Sequence, residues 1–200
     1  MNKDRLLACL ARDEGCNLKR HLVAGIPHIG MGINLAEPLP DEVLDYLGVE
    51  DEDDIEELTQ EQSDWLTLRA LEIAIGDAQA IFAACWDTLS AVRQEVLVNL
   101  SFNLGGPRLR RFKNMVAAVL SGDFETAAVE MLDSKAARQT GERYKRLANA
   151  LKNNDEVYLE LDQQWETEIR TTSPTPSQAP PIFQHLQEIN TKLDEILQRL

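Results

Sequence analysis

No stretch of this 200-residue sequence approaches the roughly 20 consecutive apolar residues that a bilayer crossing requires. The N-terminal Met1-Asn2-Lys3-Asp4-Arg5 leads into an apolar stripe that Arg12, Asp13 and Glu14 interrupt, and no small-residue cleavage site follows. That pattern lacks the uninterrupted apolar core of a secretory signal, so the expectation is a cytoplasmic start without membrane insertion. Cysteine is scarce. Cys9, Cys16 and Cys85 are odd in number, widely spaced and without a Cys-x-x-Cys pair, and His21, His28 and His185 fall at no ligand spacing. These facts argue against a disulfide framework or a zinc site; three reduced thiols, some of them buried, are expected, with no metal or cofactor. Basic residues are few as well, 20 against 34 acidic, and a net charge of −14 argues against general nucleic-acid binding.

The acidity is local. Between Glu37 and Asp64 there are 13 acidic side chains and no Lys or Arg, while Ala91–Lys152 carries 11 basic residues against 6 acidic. Hydrophobic residues make up 44% of the chain, enough for a real core, and the length fits one domain with an appendage or two small domains.

Most of the chain after Thr59 has helical periodicity. Thr59 and Gln62 form a capping box ahead of Leu68, Leu71, Ile75, Ala78 and Phe82. Leu89, Val92, Val96, Leu100 and Leu104 make a second stripe, stopped by Gly105-Gly106-Pro107. Phe112, Met115, Val116 and Val119 predict a third helix closed by Gly122. Asp123 caps a fourth through Phe124, Ala127, Ala128 and Met131, and Tyr144, Leu147, Ala148 and Leu151 mark a fifth. Near the start, Leu6, Leu7 and Leu10 predict a short helix ending near Gly15, and the glycines and alternating apolar residues of 25–35 suit a small hairpin-bearing lobe. Residues 36–58 have the character of an acidic loop with one helical turn at Asp41–Leu47.

Glycoside hydrolysis needs an acid to protonate the leaving oxygen and a second group to activate or replace the attacking water. The acid must be protonated near neutral pH, which favours a crowded or apolar setting. Glu14 closes the Leu6-Leu7-Leu10 helix, from where it points out of a packed element; by periodicity alone it is a charge at a helix end. Arg12-Asp-Glu-Gly-Cys-Asn-Leu-Lys19 followed by Gly25-Ile-Pro-His-Ile-Gly-Met-Gly-Ile-Asn-Leu35 resembles the N-terminal signature of the phage-type lysozymes, glycoside hydrolase family 24. Arg93–Gly105 resembles that family's central buried helix and the turn after it. Phe112-Lys-Asn-Met resembles its next helix, and Met131-Leu-Asp-Ser-Lys, then Gln139–Arg143 and Arg146-Leu, resemble its closing segment. The resemblance runs over roughly residues 3–152 in consistent order, and residues 1–153 are read as the domain, with 36–58 as an acidic insertion.

The resemblance implies a mostly α (α+β), two-lobed lysozyme-like fold with a small N-terminal β-hairpin lobe; it covers neither the acidic insertion nor anything beyond Asn153, so the C-terminal helical tail is read from periodicity alone. It implies a muramidase that cleaves the β-1,4 bond between N-acetylmuramic acid and N-acetylglucosamine, with bacterial peptidoglycan as partner. Glu14 would be the general acid, Arg143 its ion-pair partner, and Asn103 and Gly105 part of the cleft lining. One departure bears on mechanism. The family has an Asp nine residues after the Glu and a Thr just before Ile-Gly; here the loop Leu22-Val-Ala-Gly25 is one residue shorter and has no carboxylate, and His28 takes the Thr position. Three readings compete: His28 as base or nucleophile, a binding-only descendant, or an acid from around Glu37 folding over the cleft. The basic group Arg108, Arg110, Arg111 and Lys113 either contacts anionic wall polymers or is a solvated helix start. The expected setting is an endolysin in the host cytoplasm that reaches the wall after holin-mediated release; a virion-associated lysozyme and a scaffold protein without catalysis are the alternatives.

Beyond the domain, Val157, Leu161, Trp165 and Ile169 predict that helix continues over 154–170, and the four prolines of 171–181 mark a linker. Ile182, Leu186, Ile189, Leu193, Ile196 and Leu200 then fall at spacings of 4, 3, 4, 3 and 4. That is a short heptad seam, with Leu at a and Ile at d, suited to a homo-oligomer or protein partner of more than two strands, or to a lone amphipathic helix docking on its own domain. Removing residues 171–200 should lower the number of chains per particle, measured by light scattering; an unchanged oligomeric state sinks self-association.

Overall fold

The computed structural model describes residues 1–156. The predicted linker, the heptad segment and all but the start of the 154–170 helix lie outside the described residues. The described part is mostly helical with one small antiparallel sheet, an α+β arrangement.

Helix α1 spans Lys3–Glu14, capped by the Asn2 side chain on the Arg5 N–H and stopped at Gly15, whose φ of 65° ends the helix where expected. Leu6, Leu7 and Leu10 are fully buried. The sheet follows directly, with β1 Asn17–Val23, β2 Ile26–Gly30 and β3 Ile33–Asn34 in the order β1-β2-β3. Ala24 and Gly25, at φ 52° and 83°, make the two-residue turn between β1 and β2, and that turn sets the register His21 opposite His28. The hairpin thus begins at Asn17, upstream of the 25–35 segment that composition singles out. The outer strand β1 is largely exposed and carries no alternating apolar signal.

The acidic segment is more ordered than a loop. Helix α2, Asp41–Leu47, forms as expected, but a 3-10 turn at Glu52–Asp54 follows and the chain then pairs with β1. Arg20 N–H donates to Glu56 O at 2.9 Å and Leu58 N–H to Leu18 O at 2.8 Å. The reason lies in apolar residues threaded among the acids: Leu35, Val43, Ile55 and Leu58 bury against Ile29 and Leu66, while most of the carboxylates face water.

Helix α3, Gln60–Ile81, forms the expected Thr59/Gln62 capping box. Its first turns give Leu66 to the sheet's apolar cluster, and Leu71, Ala74, Ile75 and Ala78 pack on α1. Helix α4, Ala91–Leu104, is buried on nearly every side through Val92, Val96, Leu97, Val98 and Leu100. Around it run α5 Gly106–Leu109, α6 Lys113–Ser121, α7 Phe124–Leu132, α8 Lys135–Thr140 and α9 Glu142–Asn153. Gly122 ends α6 and Asp123 caps α7, as expected; α8, started by Ser134 accepting from the Ala137 N–H, is short and has no apolar stripe to announce it. Asn154 adopts a left-handed conformation (φ 55°) that ends α9 at Asn153, so the predicted continuation does not run on from α9 as one helix. Among the described residues no helix is long and apolar enough to cross a membrane.

Two buried polar contacts fix the helices axially. Glu95 on α4, fully buried, accepts from Arg5 Nε at 2.6 Å and Nη2 at 2.9 Å, tying α1 to α4. Asp77 on α3 accepts from the Gly106 N–H at 3.1 Å, and a Cβ on Gly106 would stand 2.2 Å from the Asp77 Cγ. Gly106→Ala should therefore cost about 1–3 kcal/mol, read as a lowered Tm in thermal unfolding. The double variant with Asp77→Ala should lose less than the sum of the two single variants if the clash is the cause.

Candidate active site

The end of α1 and the start of α9 meet over α4. Gly15 stops α1 so that Asp13 and Glu14 are its last side chains, and Arg143 and Arg146, three residues apart, share one face of α9. Arg143 is the shared partner. Its Nη1 donates to Glu14 Oε1 at 2.5 Å, its Nε to Asn99 Oδ1 at 3.0 Å, and its Nε lies 3.5 Å from Asp13 Oδ2. The Asp13 carboxylate, almost wholly buried, also accepts from Arg146 Nη2 at 2.7 Å, Arg12 Nε at 3.1 Å and Asn99 Nδ2 at 3.5 Å. Burying carboxylates and guanidiniums together is tolerable only when charge and hydrogen bonds are matched in this way.

Glu14 differs from Asp13 in what its second oxygen meets. Its side chain keeps 16% exposure, and Oε2 lies against Gly32, where a Cβ would come within 3.0 Å of it. Both residues belong to the wall of a cavity of about 490 Å³ that His21, His28, Phe102 and Asn103 help to line. Of the two carboxylates in that wall, Asp13 is committed to its cations and Glu14 is the one partly open to the cavity.

The hairpin lines the same cavity. His28 Nδ1 sits 2.9 Å from Ile26 O, and His21 Nδ1 sits 3.1 Å from Lys19 O. A carbonyl oxygen only accepts, so each Nδ1 donates, and in the neutral form of the ring the lone pair falls on Nε2. Asn103 Oδ1 accepts from the Tyr144 hydroxyl at 3.2 Å; burial pushes the Tyr144 phenol up to about 12, which keeps it a donor.

Glu14, His28, Asn103 and Arg143 thus come together from four separate elements, with Arg143 behind the wall. Gly105 ends α4 with φ 75° and is not part of this cavity's lining. Glu37 is exposed, lies outside the lining and pairs with Arg108 at 3.3 Å. Arg108 and Arg111 line a neighbouring cavity of about 730 Å³ that shares Asn103 with the first, whereas Arg110 pairs with Asp77 at 3.4 Å. Sequence reasoning did not single out His21, Asp13, Asn99 or Arg146 for the site. The Arg143/Arg146 spacing on one helix was the available signal; His21 is marked only by its pairing across the hairpin. Among the described residues no group of three or more His, Cys, Asp or Glu is arranged to hold a metal ion.

No family model matches the chain. Over 148 residues it is 30% identical to the pre-baseplate central spike protein Gp5 of Enterobacteria phage T4, a match that covers 69% of this chain and 26% of that protein. The chain therefore spans about a quarter of the length of the relative it matches.

Because Arg143 compensates two carboxylates, its loss should be felt in folding. Arg143→Ala should cost about 3–5 kcal/mol, the range for breaking a buried pair, and Arg146→Ala, whose guanidinium is one-third exposed, should cost less. Denaturant titration of the two variants checks the order, and equal losses would refute the central place given to Arg143.

Proposed function

We propose that the chain is a peptidoglycan hydrolase of the muramidase type, with Glu14 as its general acid. The observation that carries this reading is the state of Glu14: one carboxyl oxygen held by Arg143, the other against Gly32 in a cavity that His21 and His28 also line. The resemblance of residues 3–152 to the phage-type lysozymes supports it, and so does the likeness to a phage protein. On this reading the sheet with the acidic segment forms one lobe, the helices around α4 form the other, and the glycan lies between them.

Glu14 protonates the glycosidic oxygen as the bond to the sugar's C1 breaks. A water on the opposite face of that sugar gives its proton to His28 Nε2 while its oxygen bonds to C1, so the reaction inverts the anomeric centre. His28 takes this part because no second carboxylate in the cavity wall is free of cations, and its Nδ1–H contact with Ile26 O fixes the tautomer that a base needs. Arg143 and Asn99 position Glu14, and Asn103, held by Tyr144, offers its amide to the substrate. The similarity to a protein named as a central spike supports an enzyme carried on a particle over one released through a holin from the host cytoplasm.

Glu14→Gln should abolish clearing of peptidoglycan in a zymogram run beside the unmodified chain; equal clearing by both ends the proposal. His28→Ala should slow hydrolysis by about 10²–10⁴ if His28 is the base. A loss of only a few-fold would return His28 to a structural part of the hairpin.

A further inference from the structure

His21 and His28 are seven residues apart, a separation that matches no metal-ligand spacing in sequence. The two-residue turn at Ala24-Gly25 removes that separation by setting them directly opposite one another on β1 and β2. Their ring centroids lie 6.4 Å apart with the planes tilted by 43°, and both rings line the cavity that contains Glu14. Each Nδ1–H is held by the carbonyl two residues before it, at 3.1 Å for His21 and 2.9 Å for His28. A backbone carbonyl on the outer ring nitrogen is the arrangement that orients metal-ligating histidines and raises their basicity. Both Nε2 atoms are then the lone-pair atoms of the neutral rings.

We infer that His21 and His28 form a two-point chelate for a transition-metal ion of the zinc type in the cavity that contains Glu14. With metal–nitrogen bonds of about 2.0–2.1 Å, two imidazoles on one tetrahedral ion have centroids about 5 Å apart. Both side chains are half-buried, so the remaining gap is one that side-chain rotation is expected to close. Water completes the coordination shell, since no third His, Cys, Asp or Glu among the described residues converges on the pair. Such a site is open and exchangeable, unlike a structural zinc site with four protein ligands. If His28 supplies the base, as proposed above, the ion occupies the lone pair that the reaction needs and acts as a reversible inhibitor. That consequence rests on the proposed mechanism, whereas the binding itself does not.

Cys16 also lines the cavity, and its exposed thiol is the obvious competing ligand, so the test has to separate the two. Zn²⁺ is titrated into the untagged full chain by calorimetry, with His21→Ala, His28→Ala and Cys16→Ser variants alongside. One ion per chain is expected, with affinity falling about tenfold or more in each histidine variant and unchanged in Cys16→Ser. Affinity that survives His21→Ala, or that disappears in Cys16→Ser, overturns the inference. Circular dichroism of each variant shows whether a lost site reflects a lost fold, and in that event His21→Gln, which removes the imidazole with less change of volume, repeats the titration. Peptidoglycan clearing with and without Zn²⁺ then separates the two proposals. Binding to a chain that never clears the wall leaves the metal site standing and removes the hydrolase. Clearing that is untouched by Zn²⁺ at saturating occupancy removes His28 as the base.

Discussion

A guanidinium shared between two carboxylates holds the site together. Arg143 reaches Glu14, Asp13 and Asn99 at once, and those three groups come from the end of α1 and the middle of α4. A buried charge without a partner is far costlier than a satisfied one, so α1, α4 and α9 are bound to a single relative placement. The arrangement also sorts the neighbouring acids by environment. Asp13 is surrounded by cations and amide, while Glu14 keeps one oxygen on Gly32 and the cavity. Adjacent residues of one helix therefore have different surroundings, one enclosed by cations and one partly open to the cavity.

The hairpin depends on that placement. Glu14 is followed at once by Gly15 and the first strand, so whatever fixes the end of α1 also fixes where the sheet begins. The Ala24-Gly25 turn then decides which side chains stand opposite each other, and the pair it selects is His21 with His28. The acidic segment completes this part of the molecule by pairing with the outer strand and covering the sheet's apolar face with Val43, Ile55 and Leu58. Most of its carboxylates stay at the surface, so the negative charge between Glu37 and Glu57 is largely the solvated side of a packed layer, whereas Asp64 is buried. One of them, Glu37, reaches Arg108 just beyond α4, a contact between the most acidic and the most basic stretches of the chain.

Much of the fold was legible. The caps at Thr59 and Asp123, the stops at Gly15 and Gly122 and the apolar stripes of α3, α4, α7 and α9 follow from local rules of hydrogen bonding and periodicity, and they form where those rules put them. Local rules failed where the deciding contact is remote. The first strand is largely exposed, and its pairing with the acidic segment more than 30 residues away leaves no local signal. Helix α9 ends at Asn153 because Asn154 turns left-handed, a backbone state that Asn tolerates and periodicity does not register; residues 157–170 lie outside the described residues.

The site divides the same way. The sequence alone determined that an acid would close the first helix, that no carboxylate would follow it in the hairpin, and that a histidine would stand before Ile29-Gly30, because these are statements about residue type and order. Only the tertiary structure decided that Arg143 faces Glu14 across 129 residues, that Asp13 is consumed by cations, and that His21 joins His28 in the same wall. The physical reason is that charge compensation and lone-pair direction are properties of distance, and distance between residues far apart in sequence is set by the packing of α1, α4, α9 and the sheet.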